Sequence, residues 1–202
     1  MNAEPYGTLP DTQPDKRKLR SKMKELLRQK PGTIEDNDRL LNNILGSSYW
    51  GRAQQVFLFL PLHGEPDLTA LIPIAQAEGK TIAAPHCEKD TLFFHQLSAD
   101  WQESTIETPF GVREPDSSTT PLCEVDSSTL VLVPGRAFTK EGARLGRGKG
   151  YYDHFLGDIA PENIPMTLGT CWSWQILEHV PTWPGDRPVQ GIVTEQELHE
   201  VQ

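Results

Sequence analysis

The sequence predicts an α/β protein built on a mostly parallel sheet. Two short, nearly continuous apolar runs, "QVFLFLPL" (55–62) and "TLVLVPG" (129–135), are each ended by proline or glycine. Strands buried on both faces of a parallel sheet read this way. Segments with helical spacing of apolar residues lie between such runs, and that alternation defines the class. The length of 202 residues and the 37% hydrophobic content fit one domain with its own core, over 15–202.

Each element follows in order. Residues 1–14 are polar and carry prolines, without the basic start and apolar stretch of a signal peptide, so a flexible tail is expected. "DKRKLRSKMKELLRQK" sets Leu19, Met23, Leu26 and Leu27 at helical spacing among basic residues. A second helix begins at Thr33, with Asp36 placed for a capping box and Leu40, Leu41, Ile44 and Leu45 as its apolar stripe. After the first apolar strand, Asp67 is expected to cap a helix whose Leu68, Leu71, Ile72 and Ala75 face inward. "KTIAAP", "TLFFHQL", "MTLGTC" and "QGIVTE" read as further strands, and residues 113–129 as a polar surface loop. In such sheets ligands sit beyond the carboxyl ends of strands. That singles out "LPLHGEPD" after the first strand and "VPGRAFTKEGARLGRGKGYYD" after "LVLV".

Charge narrows the function. The net charge is −9, yet residues 15–30 carry +6 and residues 136–149 carry +4, leaving −19 on the remainder. An acidic protein that gathers its cations in two short stretches is suited to a small polyanion. The overall charge argues against nucleic acid as the partner, and no apolar run approaches a membrane span. The basic helix also has a plainer reading, as a solvated face. Three scattered cysteines, Cys87, Cys123 and Cys171, form no CxxC pair and no disulfide framework, which fits a reducing compartment. The six histidines show no metal-ligand spacing, and each reads as a surface or core residue.

The densest signal is "RLGRGKGYYD" (144–153). It is no Walker A loop, because Ala143 stands where that loop needs its first glycine and Gly150 where it needs Ser or Thr. It is no dinucleotide fingerprint either, since Tyr151 replaces the last glycine. The physics is nevertheless that of phosphate binding. Gly146, Gly148 and Gly150 let backbone N–H groups approach phosphate oxygens, a helix starting near Gly150 or Tyr151 points its positive end there, and Arg144, Arg147 and Lys149 supply cations. Asp153 is a solvated or helix-capping carboxylate or, beside a polyphosphate, a magnesium ligand. A glycine-rich surface loop with incidental charges is the plainer alternative.

"LVPGRAFTKEGARLGRGKGYYDHFL" resembles the signature of 5-formyltetrahydrofolate cyclo-ligases, also called methenyltetrahydrofolate synthetases. "KRKLR", "FLPLHGEPD", "FGVREP" and "GDRPVQGIVTE" fall in that family's order, so the resemblance covers nearly the whole chain from Lys16. It implies a three-layer α/β/α fold of the CoA-transferase and phosphoribose-isomerase kind. The implied reaction turns 5-formyltetrahydrofolate into 5,10-methenyltetrahydrofolate with ATP and magnesium, releasing ADP and phosphate.

Carried onto this chain, the resemblance puts Lys16, Arg17, Lys18, Leu19 and Arg20 against ATP, with Arg20 also facing the folate. Leu60 and Glu65 contact the substrate. Arg144, Leu145, Gly146, Arg147, Gly148, Lys149, Gly150, Tyr151 and Tyr152 form the ATP loop, and Arg147 through Tyr151 also touch the folate. Arg144, Arg147 and Lys149 are the expected catalytic cations, and Asp153 and Asp186 the magnesium ligands. A cytoplasmic monomer is expected, with neither nucleic acid nor membrane as partner.

The chain departs from the family pattern at Thr139 and Gln190, where aspartates are usual, and at Phe110, where Trp or Tyr is. Glu65 has two readings: one carboxylate can accept the adjacent N–H and amino groups of a pteridine, or it can serve the "HGEPD" turn. A non-catalytic folate- or nucleotide-binding protein on the same fold is the alternative function.

Overall fold

The computed structural model describes residues 14–108 and 111–201. Helices α1 (Pro14–Gln29), α2 (Ile34–Leu45) and α3 (Ser48–Arg52) precede strand β1 (Gln55–Phe57). Then come α4 (Leu71–Ala77), β2 (Thr81–Glu88), β3 (Thr91–Gln96), β4 (Thr105–Glu107), β5 (Arg113–Pro115) and β6 (Leu122–Cys123). Strand β7 (Thr129–Pro134) leads through β8 (Ala137–Phe138) and β9 (Arg144–Leu145) to α5 (Tyr151–Gly157). Strands β10 (Met166–Thr170), β11 (Gly191–Val193) and β12 (Leu198–Glu200) complete the chain. Of the expected tail, only Pro14 is described, and it opens α1.

Eight strands form one sheet in the order β12-β11-β10-β7-β1-β2-β3-β6. The five from β11 to β2 run parallel, and the flanking pairs are antiparallel. The mixed α/β class with a large, mostly parallel sheet is therefore as the sequence predicts. Strands β2 and β3 are joined by Lys89 and Asp90 alone, and so short a connection permits only antiparallel pairing. Alternate residues of the central strands feed two cores. Val56, Leu58, Leu130 and Leu132 pack under α2, α3 and α4, while Phe57, Val131 and Val133 pack beneath α5.

Helix α2 opens as expected. Thr33 accepts from the Asp36 backbone N–H, and the Asp36 carboxylate accepts from that of Thr33. Two expectations fail. Asp67 does not cap α4, whose N-cap is Ala70; its Oδ1 instead accepts from the backbone and hydroxyl of Thr69, a local turn that outcompetes the cap. Residues 113–129 are not simply a loop. Arg113–Pro115 pairs with β4, and Leu122–Cys123 pairs with β3 as the edge of the main sheet. Among the described residues, no helix is long and apolar enough to cross a membrane.

Candidate active site

A cavity of about 670 Å³ opens beyond the carboxyl ends of β1, β2 and β7, where the parallel sheet exposes strand ends. Its lining includes the apolar side chains of Phe59, Leu60, Leu92, Ile106 and Val112. Charged side chains line it as well. Arg144, in β9, is 7% exposed and donates to Asp153 Oδ1 at 2.7 Å, with its guanidinium 5.8 Å above the Tyr152 ring. The same Oδ1 accepts from the Arg187 backbone N–H at 3.0 Å. Asp153, on α5, is thus tied to the residue beside Asp186. Lys16, on α1, is 8% exposed and lies 2.5 Å from Asp186 Oδ2, which also accepts from the Trp183 backbone N–H. The two aspartates, 33 positions apart in sequence, line one cavity.

Between these pairs runs the glycine loop. Gly148 has φ +116° and Gly150 φ +73°, conformations that side-chain-bearing residues rarely adopt. Arg20 Nε donates to the Gly146 carbonyl at 3.1 Å, and Arg136 in turn donates to the Arg20 carbonyl at 2.8 Å, so α1 is stitched to the loop. Burial, with Arg147 and Arg20 nearby, holds the Arg136 pKa below the usual guanidinium range. Arg147 pairs with Glu65 across the cavity, and the other oxygen of Glu65 accepts from the Leu62 backbone N–H. Glu65 thus closes its own turn and also lines the cavity. Lys149 is exposed and forms no ion pair with a described residue. Helix α5 has only seven residues, so the loop's cations contribute more positive potential here than its N-terminus does.

Most of the sequence-predicted residues converge. Lys16, Arg20, Leu60, Glu65, Arg144, Asp153, Asp186 and the run Gly146–Tyr152 all line the cavity. Arg17, Lys18, Leu19 and Leu145 do not. At 100° per residue, Arg17 and Lys18 turn to solvent, while Leu19 and Leu145 pack in a small core with Met23. Gln190, one of the departures, donates to the Pro165 carbonyl and accepts from the Thr167 N–H. It anchors the start of β10, and an ionised aspartate could not donate as this amide does. Thr139 is buried at 4% exposure in the turn after β8, away from the cavity. Phe110 lies outside the described residues.

Sequence reasoning missed the wall supplied by β2 and β5. His86 Nδ1 lies 3.2 Å from Glu114 Oε2, near but out of line for a hydrogen bond, and that oxygen accepts from the Cys87 N–H. Burial, then Glu114, pushes the Cys87 thiol up to about 11, so it is no thiolate at neutral pH. The signal was "FGVREP": a charged pair beside proline, in too short a segment to show strand alternation.

The fold is an α/β sheet with a cationic glycine loop and two carboxylates at one cavity, an arrangement suited to a small polyanion. Comparison with known proteins is more specific. Residues 12–195 match the model of the 5-formyltetrahydrofolate cyclo-ligase family, and the chain belongs to that family of enzymes. It is 27% identical over 192 residues to a probable 5-formyltetrahydrofolate cyclo-ligase of Caenorhabditis elegans, covering 90% of this chain and 93% of the other. The solved 5,10-methenyltetrahydrofolate synthetase of Aquifex aeolicus superposes with a TM-score of 0.76 at 27% identity, covering 93% of each chain. The synthetase of Mycoplasma pneumoniae, at 20% identity and a TM-score of 0.66, covers 90% of this chain and 99% of its own, and shares the fold.

Proposed function

We propose that this protein closes 5-formyltetrahydrofolate to 5,10-methenyltetrahydrofolate at the expense of ATP, as a cytoplasmic monomer. The formyl group is an amide, and its oxygen is a poor leaving group. Transfer of the γ-phosphoryl group forms a bond from phosphorus to that oxygen and breaks the bond to ADP. The nitrogen at position 10 then attacks the formyl carbon and gives up its proton, and the carbon–oxygen bond breaks to release phosphate. Phosphoryl transfer asks a protein chiefly for positioning and charge neutralisation. The observation that carries the reading is the meeting of Lys16, Arg20, Arg144, Arg147 and Lys149 around one glycine loop in a cavity that also has apolar lining.

The roles follow from position. Gly146, Gly148 and Gly150 bring backbone close to the phosphates, while Lys149 and Arg147 meet the transferred group. Arg144, fixed by Asp153 and Tyr152, supplies a buried charge that needs no reorganisation. Glu65 exchanges Arg147 for the adjacent N–H and amino groups of the pteridine, which frees Arg147 to turn toward phosphate. The apolar lining excludes water that would hydrolyse the activated formyl group.

The residues present fit magnesium. Asp153 uses Oδ1 and Asp186 uses Oδ2 for their hydrogen bonds, so one oxygen of each accepts none from a described residue. Two carboxylate oxygens plus phosphates and waters suit this cation, although no cluster of three or more acidic, His or Cys ligands occurs among the described residues. Bound there with ATP, magnesium supplies neutralisation of phosphate charge.

The test is the absorbance of methenyltetrahydrofolate, followed with purified protein, 5-formyltetrahydrofolate and magnesium, with and without ATP. Product should form only with ATP. Folded protein that yields no more product than a protein-free control leaves the non-catalytic binding reading in its place.

A further inference from the structure

A second cavity, of about 1130 Å³, lies on the other side of the glycine loop. Leu92, Arg147, Gly148, Lys149, Asp153 and Trp183 line both cavities, so the loop can be reached from two directions. The remaining wall of the second cavity differs from the first. It is formed by His154 and Phe155 of α5, by Asp158 just after that helix, by Val125 and Asn163, and by the turn that carries Trp183. It offers hydrogen-bonding groups beside two aromatic rings, of which Trp183 is exposed and Phe155 half-buried.

Size separates the two substrates. The first cavity, at about 670 Å³, is the size of a site for one drug-sized ligand. The proposed reaction brings two such molecules to one loop, a folate and a nucleotide. The apolar lining and Glu65 suit the folate, which leaves the second side of the loop for the part of ATP beyond its phosphates.

Trp183 marks the place. Its side chain is among the most exposed large apolar groups described, at 48%. A lone exposed aromatic is ordinary, but the backbone here is held on both sides. The Asp186 N–H donates to the Trp183 carbonyl at 2.9 Å, closing a turn with Pro184 and Gly185 at its centre. The Trp183 N–H donates to Asp186 Oδ2 at 2.6 Å, and Lys16 pins that carboxylate. A fixed backbone therefore presents an open indole beside Asp186, one of the carboxylates assigned above to magnesium.

We propose that the two substrates reach the loop from opposite sides and that the purine of ATP stacks on Trp183 in the second cavity. This rests on the ATP-dependent reading above. Stacking of a base on an aromatic side chain is strong enough for its loss to weaken binding about tenfold, and it tolerates exchange of one aromatic for another.

The experiment measures binding without turnover. Magnesium ADP and inorganic tripolyphosphate are titrated into wild type, Trp183→Ala and Trp183→Tyr by calorimetry, alongside tryptophan fluorescence. Trp183→Ala should bind ADP about tenfold more weakly and Trp183→Tyr nearly as wild type, while tripolyphosphate binds all three alike. Trp50 and Trp172 are buried and Trp101 and Trp174 half-buried, so the ADP-dependent change in fluorescence should vanish in both variants. Unchanged ADP affinity in Trp183→Ala, or equal weakening of ADP and tripolyphosphate, overturns the purine site and leaves ATP-dependent ring closure intact. Folded wild type that binds neither compound overturns both.

Discussion

Lys149 is the residue at which local geometry and proposed chemistry separate most cleanly. It is exposed and makes no ion pair with a described residue, so its removal should leave the fold unchanged. One preorganised charge contact to a transferring group contributes about 3 kcal/mol to the transition state. Lys149→Ala should therefore lose about a hundredfold in turnover with an unaltered Tm; a variant within threefold of wild type removes Lys149 from the mechanism. Asp153 is the opposite case. Its partner Arg144 has a side chain 5% exposed, so Asp153→Asn strands a buried guanidinium at a cost of about 3 kcal/mol. Adding Arg144→Met removes that charge and should restore most of the Tm without restoring activity. If Asp153→Asn melts like wild type, the pair is not a buried one. Such residue-level facts were partly legible in the sequence. The loop's cations and glycines were plain from composition, whereas the Arg147–Glu65 pair joins positions 82 apart and depends on how the strands are ordered.

At the scale of elements, α1 shows how helical period turns a basic segment into a site. Lys16 and Arg20 are four residues apart and fall on one face, which the structure turns into the cavity, while Arg17 and Lys18 point to solvent. Arg20→Ala should raise KM for ATP, for the folate or for both, with little change in Tm. Arg28→Ala, exposed on the last turn, should leave both KM values unchanged. Equal small losses in the two variants would reduce the helix to general surface charge. Elements set by local rules were readable. The capping box of α2 spans four residues, and the apolar runs of β1 and β7 declare themselves. Elements set by distant partners were not. Strands β5 and β6 have three and two residues and exist because β4 and β3 offer edges to pair with. Asp67 failed as a cap because Thr69, two residues on, bound it first.

The whole molecule works by bringing its two basic stretches to one end of an acidic α/β body. The parallel strands set the place, α1 supplies one set of cations, and the loop after β9 supplies the other. The apolar lining was harder to foresee, because the segment after β1, strands β3 and β4 and the residue before β5 contribute to it from separate parts of the chain. The central claim is that ATP drives ring closure by phosphorylating the formyl oxygen. Its most direct test follows that oxygen. 5-Formyltetrahydrofolate carrying ¹⁸O in the formyl group is converted with unlabelled ATP in unlabelled water, and the released phosphate is analysed by mass. Direct attack on phosphorus predicts one ¹⁸O atom in each phosphate formed. Product formation accompanied by unlabelled phosphate would contradict the account.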